Sequence, residues 1–539
     1  MAAGGRAPSA LVALGAICVA LGCAAAGPVN VSALAPHAAP PLGSSPALVG
    51  ASTPVSTDVI GVTATMSVGL FPTSMAQDLA NGWMYVTNKG SGTVSILDGT
   101  MVLMNVSVGT GDAGIAYDPV TETMYIADSG SDQVTVINGT QVIATIPVGD
   151  SPEAPAYDPA DGYVYVPNFH SSSVTILNNT TVVGTTPVGL EPVDATYDPV
   201  SGTVYVTNEE SEFENILAGN TTVGVALTRL VAPFSTIFDP VNGLLYVTNV
   251  TPNGGIESDV TILNGSSILS TFPVGPGPGY AAVNSLTGKV YLPISGDDEV
   301  QLIQNTSTAG IVDVGGDPNS AAFDPSNGLV YISDELTDDV IVINGSKPVA
   351  DVTVGTNPTI AAYDSANGLV YATVWGNEEM VALGLVPGWS VNFTESGLPK
   401  GTDWSITTKQ VTMTSHDPSI VEYESNGSYE FVVGSVAGYV ANPANGSFQV
   451  QGNPNEIAID FHTAPVPAGP GLFGLPNPAG AVLLGLGIAI VAGVIVWQLL
   501  VRRARRRERV LRVAEGEPKR PGSAPVMLRS VFARPRLPG

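Results

Sequence analysis

Cysteine is almost missing from this chain. Of 539 residues only Cys18 and Cys23 are cysteines, and both lie in an apolar N-terminal stretch. With that stretch removed no thiol remains. Structural disulfides, thiolate metal sites, a cysteine nucleophile and covalent haem attachment are then excluded. Histidine is nearly as scarce, four in all, with only His170 inside the repeats described below. A three-histidine metal site or a Ser-His-Asp arrangement there is excluded too. No phosphate-binding loop or dinucleotide fingerprint occurs. Basic residues number 19 against 47 acidic ones, and they are unevenly placed. After Val501 the chain carries 12 Lys/Arg and 3 Asp/Glu, or +9, whereas everything before carries 7 and 44, or −37. So acidic a main region argues against nucleic acid as a partner, and the split suggests two compartments separated by a membrane.

Gly (61) and Pro (43) are plentiful, as are Val and Thr, a composition that favours strands and turns. One unit is written out eight times. Its clearest copy, residues 154–189, reads APAYDPADGYVYVPNFHSSSVTILNNTTVVGTTPVG. The tyrosine of its Val-Tyr-Val run recurs at Tyr85, Tyr125, Tyr165, Tyr205, Tyr246, Tyr291, Tyr331 and Tyr371, in steps of 40, 40, 40, 41, 45, 40 and 40. Four short strand patterns at this period predict a β-propeller. Strand a is built from small residues, and an Asp-Pro-x-x-Gly turn joins it to strand b, the Val-Tyr-Val run. Strand c is Val-Thr-Ile/Val-Ile/Leu-Asn, and strand d ends in Pro-Val-Gly. The last unit lacks a d strand, while an orphan d-like strand, Val59-Ile-Gly-Val-Thr-Ala-Thr-Met, precedes the first. Pairing the two would close a ring and remove the exposed edges. The expectation is therefore an all-β fold, an eight-bladed β-propeller over residues 58–386, with seven blades as the alternative.

These units resemble the YVTN family of β-propeller repeat proteins. The tetrapeptide stands verbatim at Tyr85-Val-Thr-Asn88, Tyr205-Val-Thr-Asn208 and Tyr246-Val-Thr-Asn249, and drifts in the other copies (Tyr165-Val-Pro-Asn, Tyr331-Ile-Ser-Asp). The resemblance implies an archaeal-type surface-layer or envelope protein and names no ligand. A propeller hosts binding, scaffolding and catalysis alike.

Residues 387–463 lose the period and alternate instead, which predicts a small β-sandwich. Its stretch Asn392-Phe-Thr-Glu-Ser-Gly-Leu-Pro resembles a module of archaeal secreted and surface proteins, including thermopsin-like ones; without a catalytic motif, it reads as a stalk. Residues 464–478 form a Pro/Gly linker, and 479–501 are apolar and long enough for one transmembrane helix. The basic tail, 502–539, places the C-terminus in the cytoplasm by the positive-inside rule. Residues 1–26 read as a signal peptide, the alternatives being an uncleaved anchor or a lipid on Cys23, and 27–57 as a disordered linker.

In a propeller the d–a and b–c loops share one face, and here the b–c loops are acidic. Candidate binding residues are Asp128, Asp132, Glu209, Glu210, Glu212, Glu257, Asp259, Asp297, Asp298, Asp334, Asp338 and Glu378, opposed only by Lys89. They would attract a cationic partner or hold Ca²⁺, the one metal considered, although no loop has a calcium-motif spacing; a solvated acidic rim is the plain alternative. Phe169, Phe213 and Trp375 could stack on a sugar ring, and His170 stands in the same loops. Asp194, where other copies carry small or neutral residues, would face the axial channel. The Asp of the Tyr-Asp-Pro turns repeats in most units and reads as a turn former. No other cofactor is expected.

Thirteen Asn-x-Ser/Thr sequons all precede the apolar segment. Those at Asn105, Asn138, Asn179, Asn220, Asn249, Asn264, Asn305, Asn344, Asn392, Asn426 and Asn445 are candidate glycosylation sites. The function expected is non-enzymatic: a single-pass membrane protein with an extracellular propeller that binds a glycan, an envelope component or a protein. The rivals are an extracellular lyase or hydrolase working through propeller carboxylates such as Asp194 or Glu212, and a passive coat component. So few bases beside so many acids also point to a working pH in the acid range, with high-salt adaptation as the rival.

Overall fold

The computed structural model describes residues 57–464, apart from 212, 228–231, 251–257 and 410. The expected signal peptide, nearly all of both linkers, the transmembrane helix 479–501 and the basic tail lie outside the described residues, as do Glu212 and Glu257. Among the described residues no helix is long and apolar enough to cross a membrane.

The described elements are strands. Seven four-stranded antiparallel sheets succeed one another from Pro72–Gln77 to Lys347–Thr353, each with its strands in the order a-b-c-d. In the first sheet these are Pro72–Gln77, Met84–Asn88, Thr93–Asp98 and Met101–Ser107. The last unit supplies Pro358–Asp364, Leu369–Val374 and the start of Glu379–Ser396, and the N-terminal strand Thr57–Ser67 pairs antiparallel with the last of these, Ser67 opposite Glu379. The orphan strand thus lies where the missing d strand belongs. First and last units also meet directly: Val68 N donates to Glu378 O (3.0 Å) and Ser365 Oγ to Gln77 Oε1 (2.8 Å). The fold is a β-propeller-like repeat.

The tyrosine of strand b explains the regularity. All eight copies are at most 2% exposed. Tyr85 packs with Ile115, Tyr117 and Ile126 of the next sheet, so the ring contributes apolar area between sheets. Its hydroxyl reaches further: Tyr85 donates to Gly139 O (2.9 Å), Tyr246 to Asn305 O (2.9 Å) and Tyr291 to Gly345 O (2.8 Å), each in the c–d turn of the following unit. A phenylalanine would fill the same space and lose that tie. The Asp of the Tyr-Asp-Pro turn caps its own hairpin, Asp118 accepting from Val120 N at 2.8 Å and Asp198 from Val200 N at 2.8 Å. Strand d is the exposed outer edge, with a single buried residue near its end in Gln141–Pro147 and Thr181–Pro187.

The expected boundary at 386/387 is no break, because Glu379–Ser396 runs unbroken through it. That strand enters a second pair of sheets. One joins it to Ser419–Glu424, Asn455–Thr463 and Tyr439–Asn442; the other holds Val411–Ser415, Trp404–Thr408, Gly427–Val433 and Asn445–Val450. Phe393, Trp404, Phe431 and Ile459 form the core between them, a sandwich arrangement as the alternation predicts.

Candidate functional site

Several loop acids turn out to be repeated structural parts. The final residue of strand b is Asn88, Asp128, Asn168, Asn208, Asn249 or Asp334 in six of the sheets, and all of these are buried. Each holds its b–c loop from inside. Asn168 Oδ1 accepts from Gly149 N (3.1 Å) while its Nδ2 donates to Thr175 Oγ1 (3.0 Å). Asp128 accepts from Thr135 Oγ1 (2.6 Å), and Asp334 from the backbone N–H groups of Asp317, Leu336 and Thr337 (3.0, 3.1 and 3.1 Å). Asp128 and Asp334 are therefore loop staples rather than a binding rim. Asp259 joins them, buried and accepting from Asn249 Nδ2 at 2.7 Å.

A second set sits in left-handed backbone: Asp132, Asp298, Asp338 and Glu378, with φ of 53°, 62°, 65° and 59°. Asp132 and Asp338 each accept from a backbone N–H of the next loop, Ser151 (2.9 Å) and Asn357 (3.0 Å). Asp297 and His170 are exposed, His170 edge-on to Phe169 at 5.0 Å, and Trp375 packs on Phe71 at 5.3 Å. These residues belong to different sheets, and among the described residues no three such groups converge as metal ligands would.

One group does converge. Asp194, on Pro192–Asp198, pairs with Thr207; Ser74, Gly114, Ser235, Ser320 and Ile360 hold that register position in other sheets. Thr207 in turn pairs with Glu214. The corresponding residues elsewhere are Val94, Val134, Val174, Val260, Val300, Val340 and Met380. Glu214 is a carboxylate in a position that is apolar in every other unit, and it is fully buried. Thr236 bridges the two acids: its N donates to Asp194 Oδ2 (3.1 Å), and its Oγ1 lies 3.3 Å from both oxygens of Glu214.

Burial pushes Glu214 up to about 8, with the charge of Asp194 adding to it. Burial likewise pushes Asp194 up to about 7, against the opposing bonds from Thr236 N, Ala195 N and Ser235. Neither shift has a basic side chain among its causes. Both groups therefore keep their protons to a higher pH than an exposed carboxyl does.

The inner strands meet beside this pair. Ala154 bridges Asp194 in parallel, and Tyr280 bridges Ser320. Tyr280, Phe234 and Ala154, from three different sheets, pack together, with the two rings 5.3 Å apart. Burial holds the Tyr280 phenol protonated, and the charges of Asp194 and Glu153 press the same way. Glu153 is itself buried, and Glu209 is raised to about 7 by burial and then by Glu191, Glu210 and Glu153. Glu191 stands in left-handed backbone (φ 53°), a conformation that costs a glutamate what a glycine would not lose. Glu153, Glu191, Glu209 and Glu210 thus form an acidic cluster, in which Glu209 feels the charge of the other three and Glu210 is exposed.

Of the candidate residues, the structure gathers Asp194, Glu209 and Glu210 in one region. It adds Glu153, Glu191, Glu214 and Tyr280, which the sequence reading had not singled out. Among the glycosylation candidates, Asn105, Asn138, Asn179, Asn220, Asn264, Asn305, Asn344, Asn426 and Asn445 are exposed and Asn392 is half-buried. Asn249 is fully buried, its amide bonded to Asp259 and to Thr261 Oγ1 (3.1 Å), which leaves no room for a sugar on the folded chain.

No protein-family model and no curated protein matches the chain. Among solved structures it is similar to hydrazine synthase of Kuenenia stuttgartiensis, with 16% identity, 52% of this chain and 97% of that one covered, and a TM-score of 0.42. It is also similar to the dihydro-heme d1 dehydrogenase NirN in complex with DHE, with 13% identity, 60% and 78% covered, and a TM-score of 0.49. At such identities neither assigns a ligand or a reaction to this chain.

Proposed function

We propose that the chain is a membrane-anchored binding protein of the cell surface, an eight-bladed propeller of the YVTN kind whose loop face takes an envelope glycan. The observation that supports this reading is the acidic cluster of the loop face, where burial and neighbouring carboxylates raise Glu191 and Glu209 and no basic side chain offsets them. Carboxyl groups raised toward neutrality accept from, and when protonated donate to, the hydroxyls of a sugar. The two raised carboxyls of Asp194 and Glu214 are what a hydrolase would need. At 0% exposure Glu214 is out of a substrate's reach, so binding is favoured over turnover.

A glycan array probed with the full chain in detergent, with and without Ca²⁺, tests this. Binding should fall at least tenfold in the double variant Glu209→Gln, Glu210→Gln. Binding indifferent to that change, or release of sugar from a bound glycan, would overturn the reading.

A further inference from the structure

A recess lies away from the loop face, between the outer edge of the repeat and the sandwich. It is a cleft of about 1170 Å³, bordered by the N-terminal strand Thr57–Ser67, by Lys347–Thr353, and by the sandwich strands Val411–Ser415 and Ser419–Glu424. Asp351, Glu422, Glu424, Lys409, Trp389 and Tyr429 are among its walls.

Two of these acids are unusually placed. Asp351 and Glu422 are each only 8% exposed, and Asp351 Oδ1 and Glu422 Oε1 have no hydrogen-bond partner. The other oxygen of Glu422 accepts from Thr408 Oγ1 at 2.8 Å. Burial raises both groups to about 7; for Asp351 the charge of Asp339 and a side-chain hydrogen bond with it add to the shift, and the charge of Lys409 opposes it. Native structures rarely leave buried carboxylate oxygens unpaired, since each costs about 1–3 kcal/mol.

Lys409, the one Lys or Arg on these walls, offsets part of the charge of Asp351 and Glu424 without bonding to their carboxyls. Lys409 Nζ donates to the backbone carbonyl of Asp351 and sits 5.2 Å from the centre of the Tyr429 ring. It shows how an alkylammonium is accommodated here: apolar stem along the wall, head over an aromatic face.

We propose that the cleft is a binding site for a linear polyamine, whose ammonium groups would pair with the carboxyls of Asp351 and Glu422 as these turn toward the cleft, while its methylene chain lies against Trp389 and Tyr429. The volume is that of a small-molecule site. The missing partners are donors, and the uncompensated charge is negative. A neutral sugar would bring donors without offsetting that charge. A divalent ion would need several carboxylates to converge, and among the described residues no three do.

The test is calorimetric titration of the full chain in detergent with spermidine, at pH 7.5 and physiological salt. One equivalent should bind. Asp351→Asn and Glu422→Gln should each weaken it tenfold or more, while the loop-face double variant Glu209→Gln, Glu210→Gln should leave it unchanged. Thermal melts of the variants, each keeping the wild-type transition, separate lost binding from lost fold. Absence of saturable binding, equal binding by the two cleft variants, or tighter binding of maltotriose at the same residues would each overturn the proposal. Because the loop-face variant is the control, failure here leaves the glycan reading standing, and the converse holds.

Discussion

At the scale of single residues, Glu214 concentrates what is unusual in this molecule. Seven sheets put Val or Met at its position and bury it there; the fourth puts a carboxyl. A group whose folded pKa is raised holds its proton more tightly folded than unfolded. Its contribution to stability is therefore intact below the ordinary glutamate value of 4.5 and is lost as pH rises to about 8. Glu214→Gln keeps the acceptor facing Thr236 and has no proton to lose. It should match the wild type at pH 4 and exceed it by about 1–3 kcal/mol at pH 8 in urea unfolding, allowing for the coupling to Asp194. A variant less stable at pH 8 would mean that burial does not hold the proton on Glu214.

At the scale of elements, the ring is fastened by one strand. Thr57–Ser67 covers the edge of Glu379–Ser396 over ten residue pairs, and without it the last sheet would expose unpaired backbone groups next to apolar side chains. A chain lacking residues 57–67 should lose its single cooperative melt and run as multimers on size exclusion; a monomeric chain with an unchanged melting temperature would show that the closure is dispensable. This pairing was legible in the sequence, as were the units and the sandwich, because a period of two along each strand and of about 40 between tyrosines is set by local burial. The role of the loop acids was not. Asp128 and Asp334 look like isolated charges in a linear reading, and only the register shows them at the place of Asn88 and Asn168. Glu214 was legible in principle as the one charge aligned with seven apolar residues. Tyr280 and Glu153 were not, since their meaning lies in which inner strands touch across the ring.

At the scale of the whole molecule, the buried acids act in one direction. Asp158 and Asp334 are raised to about 6, Asp194, Glu209, Asp351 and Glu422 to about 7, and Glu214 to about 8, burial being the first cause in each. Every one favours the folded state more as it takes up a proton. Stability should therefore decline steadily from about pH 4 to pH 8, the reverse of what salt-bridged carboxylates give. The surface acts in the same sense, because the −37 of the region before residue 502 repels itself less as it is neutralised. Salt separates the two contributions: it screens exposed charge within about a nanometre and scarcely touches groups as deep as Glu214. Melting temperatures taken at pH 4, 6 and 8, each in low salt and in molar NaCl, then decide between the two habitats suggested by the scarcity of basic residues. A pH slope that survives molar salt marks a fold adapted to acid. A slope abolished by salt, with stability at pH 8 restored to its pH 4 value, would assign the effect to the surface and favour the high-salt habitat instead.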